Sequence, residues 1–470
     1  MERSPHADRF AEIIGAANVL TAKSDQAPYL TEWRDLYQGV TTMVLRPGST
    51  EEVSAVMTYA YQNNLKVVPQ GGNTGLVGGQ IPQETGDEIV LSLSRLNKVR
   101  AVDPVGFTII VESGVVLETL QNEAEKVDRL FPLSLGAQGS CQIGGNISTN
   151  AGGTSVLAYG NTRDLVLGLE VVLPTGEIWN GLRTLRKDNT GYDLKQLFIG
   201  GEGTLGIITA ASLKLFPKPK KMEAAFVGLP DPHAALRLFT LAKAQAGPVL
   251  TGFEIMPRIG VEFCLSHLDG ARDPLEGSHA WYVLMELSSG SDAFPVRDLL
   301  EGILGDAFED GLVEDAAFAQ NLSQVQDFWH IRHGMSEVQK AEGGSIKHDV
   351  SVPVASIPEF LDKAAAAVEA FVPGCRPVPF GHIGDGNIHF NVSQPVGADK
   401  AAYLANWDDM NAIVHGIVQE FGGSISAEHG IGRLKRSLLK EVKADIELDL
   451  MQRIKSAFDP KGLLNPERVL

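Results

Sequence analysis

Two hydrophobic rhythms alternate along this chain, one helical and one extended. Behind the capping-box sequence Ser49-Thr50-Glu51-Glu52, apolar residues fall at Val53, Val56, Met57 and Ala60, the spacing of an amphipathic helix. A short β-branched strand follows over residues 66–69. The same reading predicts a strand at 107–111 and a helix whose apolar stripe is Leu117, Leu120, Ala124 and Val127. Strands at 166–173 and 177–179 flank Pro174-Thr175-Gly176, a hairpin signal, and a long strand runs over 207–216. Residues 1–40 read as a short helical preface. The stiff, charged run Pro217-Lys218-Pro219-Lys220-Lys221 marks a domain boundary. Beyond it, strand and helix patterns keep alternating, with a strand near 281–287 and helices at 295–305, 318–340 and 356–371. The last forty residues are helical before the chain closes on Asn465-Pro466. The pattern as a whole predicts an α+β protein with domains at 1–217 and 218–430 and a C-terminal helical segment at 431–470.

Glycine interrupts these rhythms in clusters. The strand at 66–69 runs into Gln70-Gly71-Gly72-Asn73-Thr74-Gly75-Leu76. A longer tract holds Gly136, Gly139, Ser140, Gly144-Gly145-Asn146 and Asn150-Ala151-Gly152-Gly153, and a third is Gly200-Gly201-Glu202-Gly203-Thr204-Leu205-Gly206. None matches GxGxxG or the P-loop, so neither the dinucleotide fold nor a Walker nucleotide site is indicated. Such tracts can present rows of backbone N–H groups to phosphate oxygens. Ile143, Ile147 and Val156 among the glycines argue for a packed loop rather than a free one.

A second set of motifs carries ionisable groups. In Gly381 to Val392, His382 and His389 stand either side of Gly384-Asp385-Gly386-Asn387, a turn between two strand-like flanks. His389 and Asn391 share one strand face, with Phe390 and Val392 on the other. Imidazole and amide groups on a buried face need partners. A divalent metal would serve, and so would hydrogen bonds in a core. Ser426-Ala427-Glu428-His429-Gly430 adds a carboxylate and another imidazole. Glu428 could complete a two-histidine, one-carboxylate metal site, with His429 as a base beside it. On the helix at 318–340, Arg332 and Ser336 are i, i+4. With Lys347 they could cradle a carboxylate, while a surface salt bridge of Lys347 with Asp349 explains the same spacing.

Composition narrows the class. A formal net charge of −18 over 470 residues argues against nucleic acid or an anionic membrane as the main partner. The three cysteines, Cys141, Cys264 and Cys375, make no CxxC pattern and suggest a reducing compartment, read here as the cytoplasm. No apolar run is long enough for a transmembrane helix, and the first residues lack a signal-peptide core.

Taken together, the glycine tracts, Gly191-Tyr192-Asp193-Leu194 and the motifs around His382, His389 and Glu428-His429 resemble the vanillyl-alcohol oxidase / p-cresol methylhydroxylase superfamily. Within it they are similar to the branch of D-2-hydroxyglutarate, D-lactate and glycolate-oxidising flavoenzymes. The resemblance implies a two-subdomain FAD-binding domain of the p-cresol methylhydroxylase type. It also implies an α+β substrate domain, its antiparallel sheet covered by helices, and a C-terminal segment that returns to the FAD domain. It assigns FAD to Pro69, Gly71, Gly72, Asn73, Thr74, Gly75 and Leu76; to Pro132, Leu135, Gly136, Gly139, Ser140, Ile143, Gly144, Gly145, Asn146, Asn150, Gly152 and Gly153; and to Gly203, Thr204, Ile207, Ile208 and Asn465. It implies a divalent metal, usually zinc, on His382, His389 and Glu428. His429 is then the catalytic base and a substrate contact, Asn391 a second substrate contact, and Arg332, Ser336 and Lys347 the anchor for a distal carboxylate.

No histidine lies between Ala7 and Pro232, so that domain offers no histidyl link to FAD. The expected reaction is oxidation of a D-2-hydroxyacid, foremost D-2-hydroxyglutarate, with D-lactate or D-malate as alternatives. The expected electron acceptor is an electron-transfer flavoprotein or a quinone, and a homodimer fits the family. A metal-dependent hydrolase built on the same three ligands is the rival of another class. The two part on a visible observation. A flavoenzyme purifies yellow and bleaches anaerobically on adding a D-2-hydroxyacid, and a protein without flavin absorbance sinks the flavoenzyme reading.

Overall fold

The computed structural model describes residues 5–470. By internal contacts the chain forms two units. The first comprises residues up to Gly153, Gly160–Lys218 and Glu428–Leu470; the second comprises Thr154–Tyr159 and Pro219–Ala427. The short stretch Thr154–Tyr159 therefore belongs to the second unit, although a boundary read from composition leaves it in the first.

The first unit holds two sheets. One is four-stranded and mixed. Lys66–Gln70 and Val44–Leu45 both run parallel to the central Glu88–Ser92, and Val19–Leu20 adds an antiparallel edge. The predicted amphipathic helix is Thr50–Gln62, with the Ser49 hydroxyl accepting the Glu52 N–H at 3.2 Å and Val53, Val56, Met57 and Ala60 buried. The Glu52 carboxylate reaches one residue past the cap, to the Gly48 N–H at 2.6 Å. The other sheet is a five-stranded antiparallel one in which Ile207–Lys214 is central. Its hairpin pairs Val166–Val172 with Ile178–Gly181 across the Pro174-Thr175-Gly176 turn. The preface is only partly helical: Pro5–Ile14 is a helix, and residues 16–29 break into short helical turns around the edge strand. The helix Leu117–Glu125 ends before Val127.

The second unit is built on one seven-stranded antiparallel sheet. Its spatial order is Asp315–Phe318, Lys221–Leu229, Trp281–Ser289, Leu250–Pro257, Arg376–His382, Asn387–Ser393, Ser345–Ser351. Both faces are covered, so the strands carry apolar residues on both sides of the pleat. Ala225, Val227, Phe253, Ile255, Val283, Met285, Ile388, Phe390 and Val392 face one core, packed by the helices Pro232–Ala246, Val296–Glu309, Ile357–Phe371 and Trp407–Glu420. Ala224, Phe226, Met256, Tyr282, Leu284, Val378 and Phe380 face the other, packed by Arg258–His267 and Leu322–Val338. On this second face the apolar rows give way to Glu254, His382, Asn387, His389, Asn391, Lys347 and Asp349, which alternation puts on the same side as Val378 and Phe380.

Candidate active site

In the first unit the strand Lys66–Gln70 ends in the turn through Gly71 and Gly72. Gly72 lies against the second tract so closely that a Cβ there would sit 2.2 Å from the Ser140 carbonyl oxygen, which only glycine tolerates. Asn73 takes a left-handed φ of 56° and is held by Nδ2 donating to the Thr31 carbonyl at 2.9 Å and by Gln80 Nε2 donating to its Oδ1 at 3.1 Å. Thr74, Gly75 and Leu76 complete the half-exposed turn. Pro132, Leu135, Gly136, Gly139 and Ser140 form the connection that leads into the second tract.

The tract read from sequence as a packed loop then contains a helical turn and a half, Ile143–Ser148, because the Gly144 N–H bonds the Ser113 carbonyl at 2.7 Å and the small residues let the helix seat there. Asn150, Gly152 and Gly153 come after it. Thr204, Ile207 and Ile208 are buried at the head of the central strand. Asn465 donates its backbone N–H to the Val67 carbonyl at 2.7 Å and its Nδ2 to the Glu202 carbonyl at 2.9 Å, which brings the C-terminal segment onto the first strand of the cradle. Gln142 Oε1, Asn146 Oδ1 and Asn465 Oδ1 are buried acceptors without a hydrogen-bond partner among the described residues. Bare acceptors in a bed of backbone suit a ligand that brings hydroxyl and N–H donors, as FAD does.

The loop after residue 427 is sewn to this cradle at both ends. Glu428 Oε1 accepts the Gly153 N–H at 2.6 Å. Glu202 accepts the Ile431 and Gly432 N–H groups, one on each carboxylate oxygen and both at 2.7 Å. Burial pushes the Glu202 carboxyl above its ordinary value, against those two hydrogen bonds and Lys435. Gly430 stands between with φ 81°, where a Cβ would be 2.8 Å from Glu202 Oε1. His429 is thus carried on a loop with little freedom. Nothing in the sequence singled out Glu202 beyond its place in a glycine cluster.

In the second unit the polar residues stand in rows set by strand register. His382 pairs with Asn387, Phe380 with His389 and Val378 with Asn391, while Asp349 lies opposite His389 and Lys347 opposite Asn391. The His382 and His389 rings are 5.8 Å apart, with one nitrogen of each within 4.8 Å of the other. His382 Nδ1 bonds Glu254 Oε1 at 2.6 Å. With Nδ1 committed to that carboxylate, Nε2 is the atom that can coordinate. His389 Nδ1 is 3.9 Å from Asp349 Oδ1, an electrostatic neighbour rather than a hydrogen bond, and Asp349 accepts from Asn387 Nδ2 at 3.1 Å. Two imidazoles, each backed by a buried carboxylate, form a donor set that fits a divalent cation of the zinc type. Glu428 belongs to the other unit.

Glu254 also accepts from Arg332 Nε at 2.7 Å. The residue is 1 % exposed, and burial alone would raise its carboxyl. The facing His382 and Arg332 outweigh burial and hold it well below its ordinary value. Arg332 thus has a counter-charge of its own on the sheet, as a buried guanidinium requires, and Glu254 supplies it. The Arg332 guanidinium also lies 4.8 Å over the Phe380 ring. Lys347 Nζ donates to the carbonyl and hydroxyl of Ser336 at 2.7 and 3.2 Å, so Ser336 and Lys347 meet as the helix-strand spacing suggested. The helix carrying them is capped by Asn321 and anchored to the sheet by Trp329 Nε1 donating to Glu286 at 2.8 Å. Glu254 and Glu286 escaped the sequence reading because each is a lone acid in an apolar strand.

Two family models match. "FAD binding domain" covers residues 41–181, and "FAD linked oxidases, C-terminal domain" covers residues 218–469. The chain is 40% identical over 461 residues to a mitochondrial D-2-hydroxyglutarate dehydrogenase of Arabidopsis thaliana, spanning 98% of this chain and 80% of that one. It is 37% identical over 474 residues to a putative mitochondrial D-lactate dehydrogenase of Schizosaccharomyces pombe, spanning 97% of this chain and 88% of that one. Its fold matches p-cresol methylhydroxylase with substrate bound at a TM-score of 0.77 and 16% identity, covering 99% of this chain and 96% of the other.

Replacing His389 with Ala removes one of two paired imidazole donors and leaves the first unit untouched. The expected result by elemental analysis is loss of most bound divalent metal with FAD content unchanged. Full metal occupancy in that variant refutes the assignment.

Proposed function

The chain belongs to the family of FAD-linked oxidases and is an FAD-dependent D-2-hydroxyacid dehydrogenase, and from that premise we propose that it oxidises D-2-hydroxyglutarate to the 2-oxoacid. The observation that carries the substrate is the shared sheet face. Lys347 and Asn391 lie one row from the Asp349–His389 pair, and Lys347 Nζ bonds Ser336 one helical turn from Arg332. One row along a strand pair is two residues, about 7 Å. A cationic anchor at that remove from a metal-type histidine suits a second carboxylate, two methylenes beyond the hydroxyl-bearing carbon. D-malate is one methylene short, and D-lactate offers only a methyl group.

Within this reading His382 and His389 hold a divalent ion, zinc on their donor chemistry, with Glu428 as the third ligand on the family resemblance. FAD and the ion, when bound, supply the hydride acceptor and a Lewis acid for the 2-hydroxyl. The chain's own residues do the rest. Asn391 orients the substrate's C1 end, His429 takes the hydroxyl proton, and Arg332 with Lys347 holds the far carboxylate. Glu254 keeps His382 in one tautomer. A metal-dependent hydrolase has no use for the flavin cradle, and that alternative falls with the family assignment.

Electrons leave to an electron-transfer flavoprotein or a quinone, and a homodimer is the assembly we propose. No described helix is long and apolar enough to cross a membrane. The cytoplasmic reading rests on sparse thiols, and all three cysteines are buried and free. Both relatives are named mitochondrial, a second reducing compartment that the same thiols fit.

Lys347→Met decides the substrate. A hydrogen bond to a charged group contributes roughly 1.5–3 kcal/mol, so kcat/KM for D-2-hydroxyglutarate should fall about 10- to 150-fold. D-lactate should change far less. An equal fall on both acids returns the substrate to a short D-2-hydroxyacid. His429→Asn tests the base separately. Anaerobic flavin reduction should slow on the order of 10²- to 10⁴-fold at normal FAD content, and undiminished reduction places the base elsewhere.

A further inference from the structure

One carboxylate on this face serves two functions at once. Glu254 Oε1 holds His382 Nδ1 at 2.6 Å, and Glu254 Oε2 holds Arg332 Nε at 2.7 Å. His382 is 6 % exposed, Arg332 5 % and Glu254 1 %, so the carboxylate, the guanidinium and the imidazole N–H face one another with little water to screen them. The metal reading assigns His382 to the ion and the substrate reading assigns Arg332 to the distal carboxylate. Resting on both, we infer that Glu254 is a positioning residue that couples the two, so that the ion and the dicarboxylate are recognised cooperatively.

The coupling has a physical sign. Arg332 and the imidazole N–H compete for the charge of one carboxylate. When an anion arrives at the outer edge of the guanidinium, part of the Arg332 field turns to it. Glu254 then leans more fully on the His382 N–H, which makes the opposite ring nitrogen a better donor to a cation. By linkage the bound cation returns the same factor to the dicarboxylate. A short hydroxyacid that does not reach Arg332 gains nothing from this route. Selectivity for a dicarboxylate would then reside partly in a residue that touches neither ligand.

The test is a double-mutant cycle on zinc affinity. It uses the FAD-loaded full chain, stripped of metal and titrated with zinc against a chelating dye. Glu254→Gln keeps the shape and removes the charge, and should weaken zinc about 10- to 100-fold. Arg332→Met, which removes no ligand, should tighten zinc severalfold while Glu254 is present. In the Glu254→Gln background the same Arg332→Met change should do little. Equal effects of Arg332→Met in both backgrounds overturn the coupling while leaving the metal site standing. Failure of the unmodified chain to bind zinc, or full binding by His389→Ala, overturns the metal reading itself and the coupling with it. Thermal melts and FAD content identify variants that do not fold. If Glu254→Gln is one of them, Glu254→Asp, which keeps the charge and shortens its reach, takes its place in the cycle and should give an intermediate zinc affinity.

Discussion

A carboxylate cannot stay ionised inside a protein without counter-charges or strong hydrogen-bond donors at hand. Glu254 meets that constraint with His382 on the next strand and Arg332 on the covering helix. Its position on the sheet fixes the imidazole's tautomer, and its second oxygen fixes the guanidinium. Removing Glu254 would leave a guanidinium and an imidazole N–H on a buried face with nothing to orient them. The strand pairing Glu254 with His382 is a short contact, two register pairs only, yet it joins the four strands whose rows are mostly apolar to the three that carry the histidines.

The first unit meets a related problem mainly with backbone donors, with Lys435 as the nearby cation. Glu202 is half-buried beside the loop that carries His429 and answers the Ile431 and Gly432 N–H groups rather than an arginine. Backbone donors stabilise a carboxylate less than a guanidinium does, and the direction of its pKa differs accordingly from that of Glu254. The two acids do different mechanical jobs. Glu202 holds a backbone loop in shape, which needs many weak, directed bonds. Glu254 holds two side chains, which needs strong, opposed charges.

Local pattern was enough for the long periodic elements and for several of the turns. The helix at Val53 to Ala60, the hairpin at Pro174-Thr175-Gly176 and the histidine turn all follow from period and turn chemistry, which act over a few residues. Motif chemistry also named His382, His389, Asn391, Ser336 and Lys347 on one sheet and its covering helix, because alternation along a strand and i, i+4 spacing on a helix are arithmetic. The same arithmetic missed the helix inside the second glycine tract. Glycine and asparagine disfavour a helix locally, and the Ser113 contact that supports it lies some thirty residues away in sequence.

Sequence alone thus determined most of the long elements, the flavin-family resemblance and the residue types available to the site. Tertiary structure alone decided which charges would meet. Glu254 stands in an apolar strand more than a hundred residues before His382 and well before Arg332, with no motif around it. Only the order of strands in the sheet makes it the neighbour of both. Glu202 reaches residues 431 and 432 through the return of the C-terminal segment, which no local period encodes. Periodicity reports which face a side chain takes, whereas the partner across that face is a property of non-local pairing, and the energetics of a buried charge depend entirely on that partner.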